Sequence, residues 1–175
     1  AFQKFVQRKS DTPYQMVFVG SREFAHGRFF EMLEKEFNLS SREIIFTGGG
    51  TESNHTAIYS ALKAYPERKH IVTSQVEHSS VRNLCGLLEK EGYEVIPVGV
   101  SNRGMLDWSA FEKVLTDQVA IVSVMWANNE TGVLFPIDRI VRLVKEKKIL
   151  LHVDGVQAVG KIQADLSNVP VDFLS

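Results

Sequence analysis

Four short polar segments carry most of the chemistry that this chain could perform. In the first, the apolar run Ile44-Ile45-Phe46-Thr47 enters Gly48-Gly49-Gly50, and Thr51-Glu52-Ser53-Asn54 then opens a helical pattern. A strand, a glycine turn and a helix start in that order suit an anion, above all a phosphate. Glycines let the backbone approach it, the first helical N–H groups point at it, and the Thr51 hydroxyl adds a donor. No Gly-Lys-Ser/Thr follows, so this is not a P-loop, and the glycine spacing is not the dinucleotide fingerprint. A plain strand-to-helix turn with Thr51 as N-cap would need the same residues.

The second segment, Gln75-Val76-Glu77-His78-Ser79-Ser80, follows the run His70–Ser74. An imidazole beyond a strand end can stack on a planar ring, hydrogen-bond or take a proton. The plainer reading is a histidine at a helix start capped by Ser79 or Ser80. The third, Asn128-Asn129-Glu130-Thr131-Gly132, follows the most apolar run of the chain. Two carboxamides and an acid there are costly unless they bind something, although an Asx turn closed by Gly132 would also account for them. In the fourth, His152-Val153-Asp154-Gly155-Val156-Gln157, the histidine and the aspartate are two apart on a strand and share a face. They read either as a metal pair or as a carboxylate aimed at a cationic nitrogen. His26, His70, His78 and Glu77 are the candidates to complete a metal set, but no short spacing such as His-Glu-x-x-His occurs, so metal is the minor reading.

The elements that must position these groups are written in the periodicity. Apolar β-type runs at 44–47, 70–74, 94–98, 119–125 and 150–154 alternate with helical patterns, and a further strand begins near 171–174. One helix is predicted over 22–37. Another carries Ala57, Ile58, Ala61, Leu62 and Tyr65 on one face. A third carries Val81, Leu84, Cys85 and Leu88 and ends at Gly92. Asp107 caps a short helix through Leu115, and Pro136 leads into one through about Lys147. Residues 1–20 are the least patterned segment, and 21–175 read as one unit. This alternation predicts an α/β fold, a mostly parallel sheet flanked by helices. Ligands bind beyond the carboxyl ends of such strands, where Thr47, Ser74, Met125 and Asp154 fall.

Bulk properties exclude several classes. With 175 residues the chain holds one domain's core, and 44% hydrophobic with 23% charged residues is ordinary for a globular protein. The net charge of −1 gives no reason to expect nucleic acid or an anionic membrane surface. No apolar run approaches the roughly 18 residues of a spanning helix. Cys85, the single cysteine, lies in an apolar stripe and reads as a buried structural thiol; a reducing compartment follows, the cytoplasm or, in a eukaryote, the mitochondrion. The first ten residues, with Lys4, Arg8, Lys9 and no acid, weakly resemble a transit-peptide start.

Taken in order, Phe46-Thr47-Gly48-Gly49-Gly50-Thr51-Glu52-Ser53-Asn54, Val76-Glu77-His78-Ser79, Met125-Trp126-Ala127-Asn128-Asn129-Glu130-Thr131-Gly132 and His152-Val153-Asp154-Gly155-Val156-Gln157-Ala158-Val159-Gly160-Lys161 resemble the cysteine desulfurases of the nitrogen-fixation type, within the class V aminotransferase group. The resemblance covers about residues 42–175. It implies the large pyridoxal 5'-phosphate-binding domain of fold type I, a three-layer α/β/α arrangement, of which 21–175 would be an incomplete part. It implies that Gly49, Gly50 and Thr51 hold the cofactor phosphate and that His78 stacks on the ring as a catalytic residue and proton shuttle. By the same likeness Asp154 pairs with the pyridinium nitrogen, Gln157 bonds the ring oxygen, and Asn129 lies near that oxygen and the substrate carboxylate. The implied reaction turns L-cysteine into L-alanine and an enzyme persulfide, which passes to a sulfur-acceptor protein such as an iron–sulfur scaffold; the whole enzyme would be a homodimer.

This sequence departs from the family pattern in three ways. Gly48 replaces a usual serine, residues 1–20 lack the family's N-terminal motifs, and the sequence stops a few residues before the segment carrying the Schiff-base lysine. Lys161 is not that lysine. The expectation is therefore a fragment, inactive by itself and binding the cofactor weakly and reversibly. The alternatives are a selenocysteine lyase or another class V aminotransferase, and, in a different class, a non-catalytic binding or assembly relative.

Overall fold

The computed structural model describes residues 15–19, 31, 43–162 and 170–175; of 15–19 it describes the backbone. Seven strands form one sheet: β1 (Gln15–Val19), β2 (Ile44–Thr47), β3 (His70–Ser74), β4 (Glu94–Val98), β5 (Val119–Met125), β6 (Leu150–Asp154) and β7 (Phe173–Leu174). Their order is β2-β1-β7-β6-β5-β3-β4, and every pairing is parallel. Helices α1 (Gly50–Ala64), α2 (Ser79–Lys90), α3 (Trp108–Val114) and α4 (Ile137–Glu146) supply the crossovers that parallel strands require.

Side-chain alternation along the strands sorts the core into two layers. Ile71 and Ile121 pack with Ala57, Ile58, Ala61 and Leu62 of α1 and with Val81, Leu84, Cys85 and Leu88 of α2. Val72, Val122, Val124, Leu151 and Val153 face the other way, onto Phe111 of α3 and Ile137, Ile140, Val141 and Val144 of α4. Helices therefore cover both faces of the sheet. All seven residues of β5 are buried, which explains why this strand reads as a continuous apolar run rather than an alternating one. His152 and Asp154, two apart on β6, both turn to the α1 side.

Local signals set the helix ends. Asp107 Oδ1 accepts the Ala110 N–H at 3.0 Å and caps α3. Past α2 the chain turns at Gly92, whose φ of +90° suits a residue without a Cβ. Cys85 is buried in its stripe, and burial pushes its thiol up to about 11, as befits a packing residue. The helix predicted over 22–37 lies, but for Glu31, outside the described residues.

Two expectations are corrected. Residues 1–20 read as the least patterned segment, yet Gln15–Val19 is a strand between β2 and β7. Its apolar run, Met16-Val17-Phe18-Val19, is too short for a period to emerge; pairing on both sides defines it. Thr51 also does not cap α1: the N-cap is Gly49, in extended backbone with φ 166° and ψ 171°, and Thr51 lies inside the first turn. The helix therefore begins two residues earlier than a Thr51 cap would place it, and no side chain caps it.

Replacing Leu151, fully buried on β6, by alanine is expected to cost about 2–5 kcal/mol in urea unfolding. The half-exposed Leu87 should cost under about 0.5 kcal/mol. Similar losses at both positions would contradict the assigned layers.

Candidate active site

The strand order reverses beside β3: β4 lies on one side of it, while β5, β6 and β7 step away on the other. At such a switch point, beyond the carboxyl ends, an open α/β sheet leaves a crevice. A cleft of about 240 Å³ occupies this place, lined by Gly50, Thr51 and Asn54 from α1, His78 and Ser80 after β3, Met125, Ala127 and Asn129 at and beyond the end of β5, and Asp154, Val156 and Gln157 at and beyond the end of β6. Six of the seven residues singled out in the sequence line it. The seventh, Gly49, lines an adjoining, more open groove of about 920 Å³ on the outer side of α1, which shares Gly50 and Thr51 with the cleft. The smaller space is the one where the helix start meets His78, Asn129, Asp154 and Gln157 from the ends of three strands.

At the helix start, the Gly50, Thr51 and Glu52 amides precede the first intrahelical bond, since the Ser53 N–H is the first to reach back, to the Gly49 carbonyl at 3.0 Å. Glu52 folds its carboxylate onto the Gly48 N–H at 2.5 Å, so an anion already sits beside this turn. A Cβ on Gly49 would meet nothing within 4 Å. Room and donors for a phosphate are both present.

On the floor, Asp154 is 7% exposed and held at both oxygens. Asn54 Nδ2 donates to Oδ2 at 2.8 Å and the Val156 N–H to Oδ1 at 3.1 Å. Two donated bonds fix its orientation. The same Asn54 nitrogen donates to Ser80 Oγ at 2.9 Å, and Ser80 Oγ lies 2.9 Å from His78 Nδ1. His78 is exposed toward the cleft and itself caps α2, its Nδ1 accepting the Ser80 N–H at 3.2 Å. The histidine, not a serine, is the cap.

The two carboxamides after β5 divide the work. Asn128 Oδ1 accepts the Glu130 and Thr131 amides at 3.0 and 2.8 Å, an Asx turn whose last residue, Gly132, has φ +72°. That shape leaves Asn129 to line the cleft. Gln157 also lines it, with Oε1 bonded by Lys161 Nζ one turn on.

His152 does not join Asp154 as a ligand. It is fully buried, with Nδ1 2.8 Å from Ser123 Oγ and Nε2 2.9 Å from Ser175 Oγ, which also receives the Ser53 hydroxyl at 2.7 Å. Burial lowers its pKa to about 4, against a smaller raising effect of Asp154, so it is a neutral brace tying β5, β6, the end of β7 and α1. Gly155 permits the close approach beside it: a Cβ there would stand 2.9 Å from Leu174 Cδ1 and 3.2 Å from the Ser175 carbonyl.

Sequence reasoning passed over Asn54 and Ser80 as functional groups and considered Glu77 only as a candidate metal ligand. A signal existed for the first, because Asn54 sits on the stripe of Ala57, Ile58 and Ala61, where an uncompensated amide is costly. Glu77, 3% exposed, accepts from Ser74 Oγ at 2.5 Å and from the Met125 N–H at 3.0 Å through Oε1. Its Oε2 has no partner among the described residues. Burial, aided by the charge of Asp154 and outweighing these hydrogen bonds, raises its pKa to about 8.

With this geometry established, comparison with known proteins identifies the lineage. The sequence profile of the aminotransferase class-V family matches residues 31–175. The chain belongs to that family. It is 54% identical over 133 residues to the cysteine desulfurase NifS of Azotobacter vinelandii, covering 76% of this chain and 33% of that protein. It is 52% identical over 134 residues to a cysteine desulfurase of Sinorhizobium fredii, covering 76% and 35%. Among solved structures, a NifS-like protein superposes with a TM-score of 0.79 at 32% identity, over 89% of this chain and 46% of that one. SspA in complex with cysteine superposes with a TM-score of 0.76 at 31% identity, over 83% and 43%. The chain thus spans about a third of the length of its curated relatives.

Two of the buried titratable groups, Glu77 and His152, give opposite pH slopes. Glu77, raised from 4.5 to about 8, contributes stability that is full below pH 4.5 and lost as pH rises through 8. His152, lowered from 6.5 to about 4, contributes stability present above pH 6.5 and lost as pH falls through 4. They offset each other between pH 4.5 and 6.5, so the Glu77 slope stands alone from 6.5 to 8. Glu77→Gln should remove a fall of about 1.4 kcal/mol per pH unit there. Parallel stability curves for the variant and the parent would contradict a neutral buried Glu77.

Proposed function

We propose that this chain forms the cofactor-binding part of a pyridoxal 5'-phosphate-dependent cysteine desulfurase that converts L-cysteine to L-alanine and an enzyme-bound persulfide. The observation that carries the reading is the single cleft into which four separated segments deliver an anion-binding helix start, an imidazole and a carboxylate pinned at both oxygens. Supporting it are relatives named cysteine desulfurases at about half identity, and a structural neighbour described in complex with cysteine.

The residues fit the group. The Gly49-Gly50-Thr51 turn, with its uncommitted amides and the Thr51 hydroxyl, would hold the phosphate at the positive end of α1. Asp154 would hold the ring nitrogen in its protonated form, and Gln157 would meet the ring oxygen. His78 would lie against the ring and Asn129 beside the substrate carboxylate. Bound there, the cofactor supplies an electron sink for the bonds at the α-carbon of an amino acid. Asp154 contributes a negative charge that needs no reorganisation, because the Asn54 and Val156 donors already fix it.

The wider assignments rest on the same kinship. The substrate is L-cysteine, the sulfur acceptor is a partner protein such as an iron–sulfur scaffold, the working enzyme is a homodimer and its place is the cytoplasm. No helix among the described residues is long and apolar enough to cross a membrane.

The natural protein, purified with its cofactor, should release alanine from L-cysteine. Asp154→Asn should lower that rate by about 10²-fold or more and change the absorbance of the bound cofactor. Thr51→Val should weaken cofactor retention by about tenfold. A protein that binds the cofactor but forms no alanine from cysteine would overturn the substrate assignment, and undiminished turnover by Asp154→Asn would overturn the site.

A further inference from the structure

The proton positions around Asn54 can be assigned from donors and acceptors alone. Asp154, as a carboxylate, only accepts, so the Asn54 atom 2.8 Å from Oδ2 must be the amide nitrogen and not the oxygen. The second proton of that nitrogen points to Ser80 Oγ at 2.9 Å, which makes the serine oxygen an acceptor there. Ser80 then has one hydroxyl proton, and His78 Nδ1 lies 2.9 Å away. Nδ1 already accepts the Ser80 N–H at 3.2 Å, so it carries a lone pair and no proton. In the neutral ring the proton must therefore sit on Nε2, which has no partner among the described residues, on a side chain that lines the cleft.

The geometry points to Asn54 as a positioning residue: through Ser80 it locks His78 as the Nε2–H tautomer, so that the imidazole presents a hydrogen-bond donor, not a base, to whatever fills the cleft. The same amide nitrogen keeps Asp154 an oriented acceptor. One buried side chain thus sets complementary roles at two places in the site, a donor at His78 and an acceptor at Asp154. Asn54 is 1% exposed and Ser80 6%, so water does not compete for either bond. The unpartnered Asn54 Oδ1 is consistent with a side chain held for the sake of its nitrogen. His55 Nε2, 3.1 Å from the Ser80 carbonyl, braces the same residue from α1 without touching the relay.

The relevance of this lock to catalysis rests on the cofactor reading above, but the tautomer itself does not, because it can be read in cofactor-free protein. The test is nitrogen-15 NMR of His78 in the natural protein, stripped of cofactor, with the ring neutral. The parent should show Nε2–H as the sole tautomer. Asn54→Asp replaces the donor with an acceptor, draws the Ser80 hydroxyl away and should shift the tautomer ratio toward Nδ1–H by about tenfold or more, the worth of one hydrogen bond. Ser80→Ala keeps the backbone N–H on Nδ1 but removes the hydroxyl donor, and should make Nδ1–H detectable beside a still dominant Nε2–H. If Asn54→Asp does not fold, the parent and Ser80→Ala spectra still decide. A parent with Nδ1–H as its main form, or a Ser80→Ala variant with an unchanged ratio, would overturn the assignment. Loss of cofactor binding with the tautomer intact would instead count against the cofactor reading alone.

Discussion

The hydrogen bond from Asn54 to Asp154 joins residues 100 positions apart and fastens the start of α1 to the end of β6. Everything chemical in the cleft is placed relative to that join. The α1 amides, with their affinity for anions, stand at one end and the Asp154 carboxylate at the other. The sheet beneath keeps the distance constant, because β5 and β6 are buried on both faces and paired along five residues. An ionised acid at this depth would be expensive unpaired. Its two donated bonds offset part of that cost and fix its direction.

Beneath the join lies a second layer of polar residues that the chemistry does not use directly. His152, neutral between two serines, and Glu77, protonated around neutral pH, are buried groups with pKa values moved in opposite directions by the same cause, loss of water. Both keep negative or positive charge away from Asp154, so that its carboxylate is the charge the cleft presents at its floor. The Met125 amide that Glu77 receives lies at the end of β5, next to the turn that sends Asn129 into the cleft. Glu77 thus supports the site from below.

Much of this was legible in the sequence, for identifiable reasons. Strands β3, β5 and β6 announce themselves because buried parallel strands are apolar runs, the edge strand β4 by its short β-type run, and α1 and α2 because their apolar stripes keep helical spacing. The polar segments at the strand ends were visible as costs that only a ligand or a turn could offset. What was hidden depends on tertiary pairing. Strand β1 is defined by its two neighbours and not by its own short pattern. The division between Asn128, which builds a turn, and Asn129, which lines the cleft, turns on one residue of register. The Asn54–Ser80–His78 chain links two segments whose separation carries no signal. The capping role of His78 was masked by the adjacent serines, which are the commoner caps. His152 shares a face with Asp154, as their spacing implied, but its depth beneath the cleft was not legible.

On the proposed function, one cleft holds the phosphate at the α1 start and the ring nitrogen at Asp154. A crystal structure of the natural protein with pyridoxal 5'-phosphate bound tests this most directly. The account predicts phosphate oxygens on the Gly50 and Thr51 amides, the pyridine nitrogen within hydrogen-bond distance of an Asp154 oxygen, and the His78 ring stacked on the cofactor. A phosphate bound elsewhere, or a ring nitrogen facing away from Asp154, would contradict it.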